Sequence, residues 1–201
     1  MHGRGDGDGV SLRIKHTLSV NSMENESMAK EKEPVAWLTT LGRSTWETCN
    51  PFWYYCEKIK AAPGKVILLY DEGRSAEKDQ VVQSFAILSR GYQKGTCTDI
   101  VGIGFDDKRI PEFNQTTHRI WLEAARSNLK LILDLSPTTW SFIPLQMMKM
   151  ARSHRNTVLS VYYLNYSDHR LRNQPFPLVP WMGFTLQDLL IEPDTAKGAS
   201  K

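Results

Sequence analysis

Two short polar segments combine hydroxyl side chains, a tryptophan and helix-starting signals, which together could bind a phosphate-containing ligand. The first runs from Gly42 to Trp46 and reads Gly-Arg-Ser-Thr-Trp, and the second runs from Ser136 to Ser141 and reads Ser-Pro-Thr-Thr-Trp-Ser. Hydroxyl and guanidinium groups donate hydrogen bonds to phosphate oxygens, and an indole ring can stack on a base. A helix beginning after each segment would add unpaired N–H groups and the positive end of its dipole.

Two helix starts compete after the first segment. Ser44 and Glu47 match a capping box, which predicts a helix from the residue after the serine. Asn50 followed by Pro51 also fits a helix start, and it would leave the intervening residues as a loop. In that second case the hydroxyls, the backbone N–H groups and Arg43 would be free to bind a phosphate. Serine and threonine also cap ordinary helices, so the case for a ligand depends on the two segments meeting.

The elements that must position these segments follow from an alternation of short apolar runs with stretches of helical period. This pattern predicts a doubly wound α/β fold, with a mostly parallel sheet of five or more strands and helices on both faces. The predicted strands are residues 35–41, 65–70, 98–105, 130–135 and 157–166. The predicted helices end near residue 60, cover residues 75–92 and 116–128, and start between residues 139 and 141.

The order of the strands decides whether the two segments meet. Right-handed crossovers favour the orders 3-2-1-4-5 and 2-1-3-4-5, and ligands bind at the carboxyl ends of the strands where the order reverses. In the first order, that crevice lies between strands one and four, and Gly42 and Ser136 begin the loops that follow these two strands.

The ends of the chain differ in composition from this alternating region. Residues 1–33 are rich in glycine, charge and small polar side chains, so we predict a disordered extension. Residues 34–192 form the single predicted domain, with a proline-rich extended strap over 170–181 and a short helix around 185–190. Residues 193–201 are predicted to be frayed.

Composition and missing motifs exclude several classes of protein. A formal charge of +3 on 201 residues is too small for a polycation that coats duplex DNA. The three cysteines form no CxxC pair, which indicates packing residues in a reducing compartment and no zinc site. There is no GxGxxG, Walker A or GxSxG motif, no signal-peptide pattern and no apolar run long enough for a membrane span. We therefore expect a cytoplasmic protein with no metal and no cofactor.

Isolated polar residues elsewhere are interpreted as surface groups. His118, His154 and His169 lack a paired carboxylate that would indicate a general base. The charged run 106–109 is interpreted as a solvated loop, and Asp71 with Glu72 has no third ligand spaced to hold a metal.

At the two polar segments the sequence resembles the CRISPR-associated Rossmann-fold (CARF) domains, which sense cyclic oligoadenylates in type III CRISPR antiviral defence. The matching stretches are residues 35–50, residues 132–141 with Asp134 at the end of a strand, and residues 161–164 with the proline-rich strap. One departure is that the second segment lacks the glycines and lysine of the Thr-Gly-Gly-Thr-Lys often found there. The ligand contacts implied are Gly42, Arg43, Ser44, Thr45, Trp46, Ser136, Thr138, Thr139 and Trp140.

The resemblance implies a homodimer with the ring ligand on its two-fold axis, because a symmetric ring suits two identical subunits. The module would either bind the messenger and signal through a separate effector protein, or cleave it as a metal-independent ring nuclease. In cleavage a ribose 2′-hydroxyl would attack its own phosphate, with Arg43 and Ser44 as the candidate catalytic residues. Replacing Arg43 or Trp140 with alanine should abolish binding, whereas Ser44→Ala should abolish only cleavage.

An alternative from another class is a non-catalytic flavodoxin-like or regulatory module that binds a protein partner. In that case exposed aromatic side chains would mark the partner surface, and the candidates are Trp46, Phe176 and Trp181. Asp71-Glu72 gives only a weak indication of a response-regulator site.

Overall fold

Strands and helices alternate through residues 34–92, 98–106, 109–137 and 142–190, which are the residues that the computed structural model describes, with the backbone alone for Trp181. They belong to one compact unit. The strands are β1 Val35–Thr40, β2 Lys65–Asp71, β3 Asp99–Phe105, β4 Lys130–Asp134, β5 Val158–Tyr166 and β6 Phe184–Asp188. The helices are α1 Thr45–Ile59, α2 Ser75–Tyr92, α3 Ile110–Arg126 and α4 Phe142–Ser153.

The sheet has the order β3-β2-β1-β4-β5-β6. All neighbouring strands are parallel except β5 and β6, which are antiparallel. This confirms the doubly wound, Rossmann-like α/β fold, and of the two strand orders considered it selects the one that reverses between β1 and β4. The carboxyl ends of these two strands are therefore neighbours, with Leu38 of β1 opposite Leu133 of β4.

The central strands form because they are apolar on both faces and can be covered by helices on both sides. On one face, Phe52 of α1 and Phe85 of α2 pack in the same cluster as Trp37 of β1. On the other face, Trp121 of α3 and Met147 of α4 pack in a second cluster. The inward side of α3 is apolar, and three of its side chains are buried: Ile120, Trp121 and Ala124.

Cys49 and Cys56 of α1 are free thiols inside the first of these clusters. Burial raises the pKa of both, to about 12 for Cys56, which keeps them protonated at neutral pH. The packing role predicted from the sequence is confirmed for these two cysteines, and Cys97 lies outside the described residues.

The structure decides between the two starts that the sequence left open for α1, in favour of the capping box, and it corrects the predicted start of α3. α1 begins after Ser44, whose side chain caps the helix, and Pro51 lies inside it. The alternative start at Asn50 is therefore wrong. α3 begins at Ile110, six residues before the predicted start, because a proline is tolerated in the first turn of a helix and Pro111 occupies that turn.

The segment after β5 also differs from the prediction. The strap consists of three short 3-10 helices, His169–Asn173, Phe176–Leu178 and Trp181–Gly183, instead of one extended stretch. The helix predicted around residues 185–190 is wrong, because Phe184–Asp188 is β6. The sequence of β6 alternates between half-buried and exposed side chains, which suits a strand, and its pairing satisfies backbone groups along the edge of β5.

Several predictions fall on residues outside those described. They are the disorder of residues 1–33, the fraying of 193–201 and the exact start of α4 between residues 139 and 141. Pro144 does lie in the first described turn of α4, as expected for a proline.

Candidate functional site

The candidate site lies where β1 and β4 end, and its floor is a buried carboxylate. Asp134, the last residue of β4, is fully buried, and its Oδ2 accepts a hydrogen bond of 2.8 Å from Oγ1 of Thr39 in β1. Its Oδ1 accepts a bond of 2.9 Å from the backbone N–H of Ser136. These bonds join the two strands at the point where the strand order reverses.

Burial raises the pKa of Asp134 from 3.8 to about 6, because the interior disfavours the charged form. Hydrogen bonds from Ser136 and Thr39 oppose this shift, and the negative charge of Glu47 adds to it. Two acidic side chains therefore lie close together beneath the site.

The loop after β1 satisfies its own backbone groups. The N–H of Gly42 donates to Oγ1 of Thr48 at 2.8 Å, and the N–H of Arg43 donates to Oε2 of Glu47 at 2.7 Å. The N–H of Glu47 donates to Oγ of Ser44 at 3.2 Å. The prediction that these N–H groups are free for a phosphate is wrong, because the side chains of the first helical turn already accept from them.

Gly42 suits this close packing, because a larger residue would push two side chains of the first helical turn away. A Cβ atom at this position would lie 3.1 Å from Oε2 of Glu47 and 3.1 Å from Oγ1 of Thr48. The carbonyl oxygen of Gly42 accepts a bond of 2.8 Å from the Arg74 guanidinium. The close backbone approach expected at this glycine is present, and the groups that approach it belong to the protein itself.

Ser136 is also engaged in the fold. It is only 5% exposed, and its Oγ accepts a 2.8 Å hydrogen bond from the N–H of Leu164 in β5. Its hydroxyl therefore connects the end of β4 to β5. The other predicted contacts of this second loop lie outside the described residues, and they are Thr138, Thr139 and Trp140.

The side chains of the first loop do reach open space. Arg43 is exposed, while Ser44, Thr45 and Trp46 are half-buried. On one side of Arg43, a cavity of about 320 Å³ is also lined by Gly42, Ser44 and Thr45, and by residues of α2. Three predicted contact residues therefore border the same cavity as the arginine.

A second cavity, of about 390 Å³, lies on the other side of Arg43. Its remaining lining residues are Glu47 of α1 and, from the 3-10 helix that follows β5, His169, Arg172 and Asn173. Sequence reasoning missed this contribution from the strap. The only signal was the spacing of basic residues after β5, which does not reveal which of them would turn back to the first loop.

The buried side chain of Asn50 in α1 makes hydrogen bonds that help to hold the strap against this helix. Its Nδ2 donates to the hydroxyl of Tyr166 at 3.0 Å and to the backbone carbonyl of Gln174 at 2.8 Å. Its Oδ1 accepts a bond of 2.9 Å from the N–H of Phe176. The Asn-Pro pair that had suggested a helix start is thus an anchor for a segment more than 120 residues away.

Two of the three aromatic side chains proposed for a partner surface, Trp46 and Phe176, are half-buried, and the side chain of Trp181 lies outside the described part of the structure. Phe176 is half-buried, and its ring packs against those of Trp53, Tyr54 and Phe184. Asp71, the weak indication of a regulator site, accepts a hydrogen bond from the N–H of Gly73 and caps a 3-10 turn.

Comparison with known proteins adds no assignment: no protein-family model matches the chain, and no curated protein matches it. Within the described parts of the chain, no helix has the length and apolar character needed to cross a bilayer. In those same parts, no three His, Cys, Asp or Glu side chains are grouped so that they could hold a metal ion.

Proposed function

We propose that the crevice at the carboxyl ends of β1 and β4 binds a cyclic oligoadenylate second messenger, in a homodimer whose two-fold axis passes through the ring. The observation that carries this proposal is the strand order, which reverses between β1 and β4. The loops after these two strands are the two polar segments whose sequences resemble CARF domains. Reversal points of this kind are the usual ligand sites of doubly wound sheets.

The exposed Arg43 is the primary phosphate-binding group in this proposal. Its guanidinium forms no hydrogen bond or ion pair with the residues that the structure describes, and it borders two cavities. Because a guanidinium can donate two parallel hydrogen bonds to a phosphate, it can hold one linkage of the ring. Ser44 and Thr45 add hydroxyl donors on the side of the first cavity.

The buried carboxylates restrict where the ring can lie. Glu47 is 4% exposed and sits beside the same loop, so an anionic ligand that approached its carboxylate without a cation between them would be repelled. We therefore place the phosphates outside the first turn of α1, against the Arg43 side chain. The backbone N–H groups of the loop keep their internal partners.

Ring cleavage is the enzymatic form of this proposal. The ribose 2′-hydroxyl would lose its proton to solvent water as its oxygen forms a bond to the neighbouring phosphorus. The bond from phosphorus to the 5′-oxygen breaks, and the leaving 5′-oxygen takes up a proton from water, which leaves a 2′,3′-cyclic phosphate and a 5′-hydroxyl. Arg43 would stabilise the charge on the phosphorane-like state, and the Ser44 hydroxyl would donate to it. The reaction needs no metal, because the nucleophile belongs to the ligand.

The test is incubation of the purified protein with cyclic tetra-adenylate and cyclic hexa-adenylate, followed by chromatography of bound and linear products. The protein should retain one of the two rings, and Arg43→Gln should lower its affinity at least tenfold. Arg152→Gln, which removes an exposed charge on α4, is the matched control and should bind as the parent does. Absence of binding to either ring, or equal binding by Arg43→Gln, would reject the proposal.

A further inference from the structure

We infer that the 3-10 helix His169–Asn173 forms a second cationic wall of the ligand site, in which Arg172 and His169 bind an anionic phosphodiester group together with Arg43. This inference rests on the proposed function and extends it to residues far from the two family-like loops. The cavity between these side chains, about 390 Å³, is within the size range of small-molecule sites.

Arg172 is placed by contacts on two sides. Its Nη1 lies 3.6 Å from Oε1 of Glu47, and its guanidinium carbon lies 6.0 Å from the centre of the Tyr166 ring. Only 20% of its side chain is exposed, so little conformational freedom remains to be lost when a ligand binds. A half-buried guanidinium held in this way is a better anion-binding group than a mobile surface lysine.

The charges around the cavity favour an anion. Two guanidinium groups, from Arg43 and Arg172, face one carboxylate, from Glu47. His169 and Asn173 add side chains that can donate hydrogen bonds. Glu47 thus compensates part of the positive charge when no ligand is bound, and a ligand phosphate would share Arg172 with it.

The neighbouring Arg170 provides a contrast on the same short helix. Its guanidinium is bound by the carboxylate of Asp168, its side chain is 89% exposed, and it does not line the cavity. Arg170 and Arg172 have the same charge and lie two residues apart, so a comparison of their variants separates a specific contact from a general effect of charge.

The experiment is a calorimetric titration of wild type, Arg170→Gln and Arg172→Gln with cyclic oligoadenylate and with linear tetra-adenylate. Arg172→Gln should weaken binding about tenfold, and it should reduce the slope of log affinity against log salt concentration by about 0.7, as expected for the loss of one phosphate contact to a single strand. Arg170→Gln should remain within about twofold of wild type.

Because Arg172 also faces the buried carboxylate of Glu47, replacing Arg172 can weaken binding indirectly, by destabilising the fold. The variant Glu47→Gln keeps an acceptor for the Arg43 N–H and removes the competing charge, so it should bind about threefold more tightly than wild type. The double variant Glu47→Gln/Arg172→Gln has no uncompensated buried charge at this position, and we expect it to unfold in urea near the wild-type midpoint while remaining weak in binding.

The outcomes separate the two proposals. Cyclic-ligand binding that is unaffected by Arg172→Gln would overturn the second wall and leave the proposed function standing. Binding of the linear probe alone, with loss in Arg172→Gln, would support the second wall and reject the cyclic ligand. Absence of binding to either probe would overturn both. Wild-type affinity in the double variant Glu47→Gln/Arg172→Gln would overturn the second wall alone.

Discussion

The floor of the crevice and the cavity beside the strap lie at the same edge of the sheet and have opposite character. The floor, made by Thr39, Asp134 and Ser136, is buried, acidic and internally hydrogen-bonded. The cavity is open and is lined by two arginines. The polar residues of the floor therefore hold the strands together, and the capacity to bind an anion belongs to side chains around it.

The same contrast separates the backbone of the first loop from its side chains. Every N–H bond described above for this loop is made to the protein itself, whereas the Arg43 side chain extends into open space. In such a loop at a helix start, the backbone N–H groups can therefore take part in helix capping while the side chains of the same residues remain available to bind a ligand.

The largest expected effect comes from the floor, through Asp134→Asn. Because the folded-state pKa is raised to about 6 from 3.8, the stabilising contribution of the protonated carboxyl is complete below pH 3.8 and is lost as the pH rises through 6. This group alone should lower the free energy of unfolding by roughly 2–3 kcal/mol between pH 4 and pH 7. Asparagine does not titrate, so the free energy of unfolding of the variant, measured in urea, should lack this fall between pH 4 and pH 7.

The comparison is made at both pH values. Wild type and Asp134→Asn should have similar stability at pH 4, and the variant should be the more stable protein at pH 7. The contrary result is a variant whose free energy of unfolding lies below that of wild type by the same amount at pH 4 and at pH 7. That result would show that ionisation of Asp134 does not destabilise the wild-type protein at pH 7.

The anchor of the strap should give the next largest effect. Asn50→Ala leaves the Phe176 N–H, the Gln174 carbonyl and the Tyr166 hydroxyl without their partner, which should lower the free energy of unfolding by about 2 kcal/mol. It should also weaken ligand binding by displacing Arg172. Gln174→Ala is the control, since only its backbone carbonyl makes the contact, and it should change stability by less than about 0.5 kcal/mol.

A direct measurement of strap order would sharpen that prediction. Amide hydrogen exchange should accelerate at Phe176 in Asn50→Ala while amides of β1 keep their protection. Equal protection at Phe176 in both proteins would mean that the strap does not depend on Asn50.

The smallest expected effect is at the cap of α1. Ser44→Ala should lower stability by about 1 kcal/mol, because the Glu47 N–H loses its acceptor, whereas Ser44→Gly should lower it by only a few tenths. Ser44→Gly therefore removes the hydroxyl with little disturbance of the helix. If this hydroxyl acts in cleavage, both variants should lose cleavage and retain binding; cleavage by Ser44→Gly at the wild-type rate would exclude that role.

The sequence predicted β1 to β5 and the helices on both faces of the sheet because these patterns are local and strongly periodic. Strand β2 and helix α2 lie within two residues of their predicted bounds. The strand order was left open between two alternatives, since both satisfy right-handed crossovers. The pairing of β1 with β4 was therefore learned only from the structure.

The remaining parts of the site depend on contacts between residues distant in sequence. No local pattern indicates that Asn50 will bind Gln174 and Phe176, or that Arg172, and not Arg170, will line a cavity with Arg43. β6 was predicted as a helix because five residues of alternating polarity are too few to distinguish the two periods without knowing that the edge of β5 is unpaired.

The most direct test of the account is the calorimetric stoichiometry of cyclic oligoadenylate binding, measured for wild type and for Arg43→Gln. The account predicts saturable binding at half a ring per chain, with the affinity of Arg43→Gln reduced at least tenfold. Binding of one ring per chain would contradict the shared site on a two-fold axis. No measurable heat with either ring, or equal affinity in the variant, would contradict the binding site itself.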